Sequence, residues 1–299
     1  MKNAVAWIIE KFFYLSSLLP MWVHYRFADL IYLLLYYVVR YRRGVVQQNV
    51  ARSFPEKSTA EQRAIVRGFY RFFGDYVVET CKLLTISEKD MRRRMTFEGL
   101  EEIDKAFENH DQIFLYLGHY CNWEWISTLG MWTSAHCAQL YRPLNNEGFS
   151  RVFMRLRTRF GAENIAKNDA LRRILAFKQE GTKAIVGMIA DQSPKPQSIH
   201  DWITFLNQDT PIFTGAERIA RKVGAAMLYC DVERVRRGYY RATLRPLVDD
   251  VSALPNYKPT ELYMAELEKS IRRQPQFYLW SHKRWKHTRE SVAQALKNQ

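Results

Sequence analysis

Apolar residues fall along this chain in short runs separated by longer stretches of helical periodicity. Residues 112–118 read QIFLYLG, and residues 182–190 read TKAIVGMIA before Asp191-Gln192. Short apolar runs bounded by turn residues predict buried strands. Residues 137–141, 224–235 and 239–247 are further strand candidates. Ser58-Thr59-Ala60-Glu61 is a capping-box pattern, which predicts a helix to about Leu84. Residues 122–132, 148–160, 168–180 and 214–223 also read as helices, the third stopping at Gly181. Pro259 opens another, with Met264, Leu267 and Ile271 on one face, and Pro275 ends it. Strands alternating with helices predict an α/β fold: a mixed, mainly parallel central sheet flanked by helices. Sites in such folds gather where strands end, and the polar residues here fall there.

The first forty residues show another pattern. Residues 12–23 carry no charge, residues 30–39 are apolar throughout, and Arg40, Arg42 and Arg43 come next. Ten residues of helix rise roughly 15 Å, about half a hydrocarbon core, so neither run makes a clean span alone. No small-residue cleavage site is present after them, which argues against a signal peptide. The pattern predicts a membrane-associated helical segment over residues 1–45, its arginines on the cytoplasmic face, ahead of a catalytic domain over residues 46–299. Two ordinary buried core helices are the alternative.

Composition narrows the picture. The chain of 299 residues carries 45 Lys+Arg against 31 Asp+Glu, a net charge of +14, with 14% aromatic residues. Such charge calls for an anionic partner. A nucleic-acid binder would group its basic residues on a helix or among exposed aromatics. Here the arginines are spread among apolar segments and no such motif is visible. The four cysteines, Cys81, Cys121, Cys137 and Cys230, form no CxxC pair, so neither a disulfide scaffold nor a zinc ribbon is indicated.

The sharpest chemical signal is His119, directly after the first apolar run, with Glu124 five residues on in GHYCNWEW. A catalytic histidine needs a partner that fixes its tautomer. His119 in a strand-to-helix turn and Glu124 in the first helical turn would meet that need. His24 and Asp29 share the spacing but have no strand before them. Asn122, between the pair, either donates to an oxyanion or caps the helix, and capping is the safer reading.

Several blocks together resemble the late acyltransferases of bacterial lipid A biosynthesis, within the lysophospholipid/glycerolipid acyltransferases. HYCNWEW resembles their His-x4-Asp/Glu block, LYRPLNN (140–146) their Tyr-Arg-Pro segment, and RLRTRFG (155–161) their arginine-rich segment. ADQSP (190–194) resembles a strand-end Asp-Gln, and FYLWSHKRWK (277–286) the C-terminal block, with Ser281 and Lys283 as departures. The resemblance implies a glycerolipid acyltransferase-like fold and transfer of a fatty acyl group from an acyl carrier protein or CoA thioester to a hydroxyl of a lipid A precursor. It implies no metal or cofactor, and the cytoplasmic face of the inner membrane as the place. His119 becomes the base and Glu124 its orienter. Arg157 and Arg159, with Arg142 a weaker third, become candidates for an anionic head group. Asp191 becomes the residue that holds an arginine or the active-site loop. Glycerolipid, aminolipid or pigment acceptors remain open alternatives.

Overall fold

The computed structural model describes residues 2–143 and 146–297. Helices α1 (Lys2–Leu18) and α2 (Met21–Leu33) come first, and α2 runs into a π-helical turn over Leu34–Val38. Then come α3 (Arg43–Ser53), α4 (Thr59–Lys82), α5 (Glu88–Arg94), β1 (Met95–Glu98), α6 (Glu101–Asn109), β2 (Gln112–Leu117) and β3 (His136–Tyr141). Next are α7 (Glu147–Thr158), β4 (Glu163–Ala166), α8 (Ala170–Gln179), β5 (Ala184–Ile189), the hairpin β6 (Trp202–Phe205) with β7 (Gln208–Pro211), and α9 (Gly215–Val223). The long β8 (Ala226–Arg236) and β9 (Tyr239–Val248), then α10 (Lys258–Arg273) and α11 (Arg289–Lys297), complete the order.

Seven strands form one sheet in the order β1-β9-β8-β2-β5-β3-β4. Every neighbouring pair is parallel except β8 with β9. The expected α/β class with a mixed, mainly parallel sheet is therefore what the chain adopts. β2 is buried along its whole length, as a strand covered on both faces should be. The Ser58–Glu61 capping box forms in full and starts α4.

Three local expectations change. The helix expected over residues 122–132 is a 3-10 helix, Trp123–Met131. The four-residue strands β1 and β4 and the β6–β7 hairpin have no counterpart in the sequence reading. Four residues are too few for a period-2 pattern to stand out.

At the N-terminus, the helices Val5–Leu18 and Met21–Val38 meet at 119°, and among the described residues no single helix is long and apolar enough to cross a membrane. α1 packs on α7 and α2 on α4. The outer faces of α1, α2 and the π-helical turn leave Trp7, Phe12, Leu15, Trp22, Leu30 and Val38 exposed. Such a concentration of large apolar side chains is unusual for a surface in contact only with water.

Candidate active site

Strand register builds the centre of the site. β2 and β5 are parallel neighbours whose last pair is Leu117 with Ile189. Two residues beyond each stand His119 and Asp191, so equal continuation of the two strands sets them side by side. His119 Nδ1 lies 2.6 Å from Asp191 Oδ1, and the His119 backbone N–H donates to Oδ2 at 3.0 Å. Asp191 is 1% exposed and the His119 side chain 20%. Burial alone would raise the Asp191 carboxyl, but the His119 charge and hydrogen bonds, with help from Arg284, hold it below the usual aspartate value. An ionised Asp191 takes a proton-bearing Nδ1 and leaves the Nε2 lone pair facing outward. Gln192 Nε2 lies 3.2 Å from that Nε2.

The turn after β2 is sharp. Gly118 suits it, because a Cβ would sit 2.4 Å from Leu267 Cδ1 of α10 and that side chain would have to move. Cys121 takes a left-handed backbone at φ 51, a conformation unusual for residues other than glycine and asparagine. The C-terminal segment ties the turn down. Cys121 N–H donates to Phe277 O and Leu279 N–H to His119 O. The same segment holds the turn after β5: Ser193 N–H donates to His282 Nε2 at 3.2 Å. Burial pushes the His282 imidazole down to about 4, so it is neutral and able to accept. Arg284 is buried and donates to Pro211 O, and Trp285 donates to Thr210.

Glu124 is not at the His119 ring. Both its oxygens are held by Arg157, from Nε at 2.8 Å and Nη2 at 2.6 Å. The 3-10 helix begins at Trp123, after the turn that carries His119, and Glu124 in its first turn meets Arg157 of α7. Trp123 itself stacks on Tyr76 at 4.1 Å and meets the His119 ring edge-on at 5.2 Å. The expected His119–Glu124 contact is thus replaced by two ionic pairs, His119–Asp191 and Glu124–Arg157. His24 and Asp29 do not pair either: His24 is buried against Pro20 O, and Asp29 binds Arg237.

The remaining candidates separate by position. Arg159 caps α7 and turns away, donating to Leu83 O over the Phe160 ring. Asn122 is fully buried: Oδ1 accepts from Trp125 N–H and Nδ2 donates to Glu79 Oε2. It is a helix cap with both polar atoms engaged inside the protein, not a group facing a ligand. Arg142 is exposed just past β3, and residues 144–145 of the expected 140–146 segment lie outside the described residues. Lys167 is lowered by burial first, then by the charges of Arg142 and Lys195. These three cations follow β3, β4 and β5, Lys167 opening a short 3-10 turn, at the same sheet edge as His119.

Beside the dyad lies a small, mostly apolar cavity of about 70 Å³. Its floor is the sheet face of Leu115, Leu117, Ile185 and Gly187, and its walls include Trp123, Leu129 and the Glu124–Arg157 pair. Gly187 is mid-strand, where glycine weakens a sheet. Crowding does not demand it, since a Cβ would meet only Ala138 O at 3.6 Å and Gln139 Cβ at 3.8 Å. Its effect is to leave room on the cavity floor.

Sequence reasoning missed Gln192, Tyr76 and Glu79 as parts of this region. Glu79 is fully buried in α4 and accepts from Asn122, Tyr240 and Tyr25. Burial, then Asp75, raises its carboxyl from 4.5 to about 7, with Arg234 opposing. A raised carboxyl stabilises the fold below its unfolded value, and that contribution is lost as pH rises through about 7. Thermal unfolding from pH 4.5 to 8 should therefore show a decline for the native protein that Glu79→Gln flattens, by on the order of 3 kcal/mol. Parallel curves for the two proteins would contradict this.

A histidine–carboxylate pair at the strand ends of an α/β sheet, beside an apolar cavity, is an arrangement able to move a proton next to an apolar substrate. The chain belongs to the bacterial lipid A biosynthesis acyltransferase family, whose model matches residues 1–287. It is 26% identical over 250 residues to the lipid A biosynthesis palmitoleoyltransferase of Escherichia coli K12, covering 82% of this chain and 79% of that protein. It is 20% identical over 239 residues to the lipid A biosynthesis myristoyltransferase of the same organism, covering 80% and 73%. A lipid A biosynthesis acyltransferase of Shigella flexneri matches at 26% identity. The protein is accordingly an acyltransferase of lipid A biosynthesis.

Proposed function

We propose that the enzyme moves a fatty acyl chain from a thioester, carried by acyl carrier protein, to a hydroxyl of a lipid A precursor at the cytoplasmic face of the inner membrane. The observation that carries this reading is the His119–Asp191 pair at 2.6 Å beside the apolar cavity. His119 Nε2 takes the hydroxyl proton as the oxygen attacks the thioester carbonyl. The tetrahedral intermediate collapses, the C–S bond breaks, and the imidazolium returns the proton to the departing thiolate. Asp191 holds the Nδ1 proton and stabilises the imidazolium. Glu124 then serves another purpose than orienting the histidine: it fixes the Arg157 guanidinium on the cavity wall.

The apolar cavity takes the end of the acyl chain, with Gly187 leaving room on its floor. Gly187→Leu should shift donor preference toward shorter chains, by about tenfold against the longest substrate accepted. Rates with donors of graded length check this, and an unchanged profile removes the chain from the cavity. Arg142, Lys167 and Lys195 supply positive charge where an anionic acceptor would approach. The net charge of +14 also suits an acidic carrier protein.

The exposed apolar faces of α1 and α2 support attachment within one leaflet over a crossing of both. Apolar burial of this kind resists salt. A high-salt wash should leave the protein on membranes and detergent should release it. Release by salt alone would reduce the N-terminus to a peripheral basic patch. The overall reading is tested by mass spectrometry of lipids from a deletion strain. Lipid A should lack one acyl chain, restored by the native protein and not by His119→Ala. Unchanged lipid A with an altered glycerolipid would move the acceptor to another class.

A further inference from the structure

The mechanism leaves one group at its centre unused. The outward nitrogen of His119, where the acceptor's proton must go, already faces the Gln192 amide at 3.2 Å. With Nδ1–H committed to Asp191, that nitrogen is an acceptor, so only the N–H side of the amide fits it. Gln192 is also held in place from both sides. Asp191 before it is fixed by the His119 ring and backbone, and Ser193 after it by His282. Asp191 is buried while Gln192 is half-buried, and the amide sits on the one ring nitrogen that a substrate hydroxyl must reach.

We propose that Gln192 is a specificity residue that covers the base and gives an acceptor hydroxyl the advantage over water. Water entering alone exchanges one hydrogen bond at Nε2 for another and gains nothing. A lipid hydroxyl brings the binding energy of the rest of its molecule, which displaces the amide. Removing the amide therefore opens the base to water more than to the acceptor. The side reaction it restrains is balanced: water gives a proton to His119 Nε2 and its oxygen to the acyl carbonyl. The C–S bond breaks, and the thiolate takes the proton back, leaving a free fatty acid and a thiol.

This inference rests on His119 as base, and one assay separates the two. Purified full-length protein in detergent is given acyl carrier protein thioester with and without lipid A precursor, and thiol, free fatty acid and acylated lipid are all measured. For Gln192→Ala, hydrolysis without acceptor should rise about tenfold, the worth of one displaced hydrogen bond or slightly more. Transfer at saturating acceptor should change by less than about threefold, since the acceptor's own binding already displaces the amide. Gln192→Met, which keeps the length and removes the donor, should raise hydrolysis in the same direction. Hydrolysis that stays constant, or falls together with transfer, overturns the role of Gln192. If His119→Ala abolishes transfer while the Gln192 ratio does not move, only the Gln192 inference falls. If His119→Ala retains transfer, both fall.

Discussion

Replacing His119 with alanine is expected to lower kcat/KM by roughly 10²- to 10⁴-fold while the protein still folds. The residue sits at the mouth of the site with its side chain partly exposed, and its removal leaves no cavity in the core. Asp191→Asn should fall nearly as far. Asparagine keeps the shape but removes the charge that stabilises the imidazolium and selects the Nδ1–H tautomer. The His119→Ala/Asp191→Asn double variant should lose little more than His119→Ala alone, because the two act as one unit. Steady-state rates with thiol detection check this. Losses that multiply in the double variant would show that Asp191 acts elsewhere.

The second large effect falls on stability. Glu124 is 4% exposed and Arg157 22%, joined by two hydrogen bonds. Truncating one member of such a buried pair leaves the other uncompensated, at a cost of about 3–5 kcal/mol. Arg157→Ala should therefore lower Tm sharply and take activity with it. Replacing both by apolar residues of similar size, Glu124→Leu with Arg157→Met, should recover much of the stability. If that double variant is as stable as the native protein and as active, the pair has no part in catalysis. If it is stable and inactive, the guanidinium is needed at the cavity wall. A double variant no more stable than Arg157→Ala would mean that the pair is not the origin of the loss.

These expectations differ from those the sequence alone supports, and the difference has a physical cause. The turn after residues 112–118 and the helical character of residues 122–132 were legible, because an apolar run ending at Gly118 has few other readings. That turn was enough to single out His119. Its partner was not legible in the same way. Glu124 is five residues away along the chain, whereas Asp191 is 72 residues away and adjacent only because β2 and β5 pair in register. Local spacing favours the near carboxylate, and strand register is not written in a single apolar run. Both strand ends were legible one at a time; their contact was not. The two arginines show the same limit. Their separation of two residues implied that the two do not share one face. How α7 packs decides where each goes: Arg157 lines the cavity and Arg159 turns to Leu83 O. Asn122 was legible as a cap from its place before a helix, though its second anchor, Glu79 on α4, was not.

The central claim is that this site joins an acyl group to a lipid hydroxyl by direct transfer from the thioester. Purified protein, acyl carrier protein thioester and a lipid A precursor with one free acceptor hydroxyl provide the most direct measurement, read as the mass of the lipid product. The expected product is a lipid heavier by one acyl residue, formed one-for-one with released thiol, and none above background when His119 is alanine. Thiol released with only free fatty acid and an unchanged lipid would contradict it.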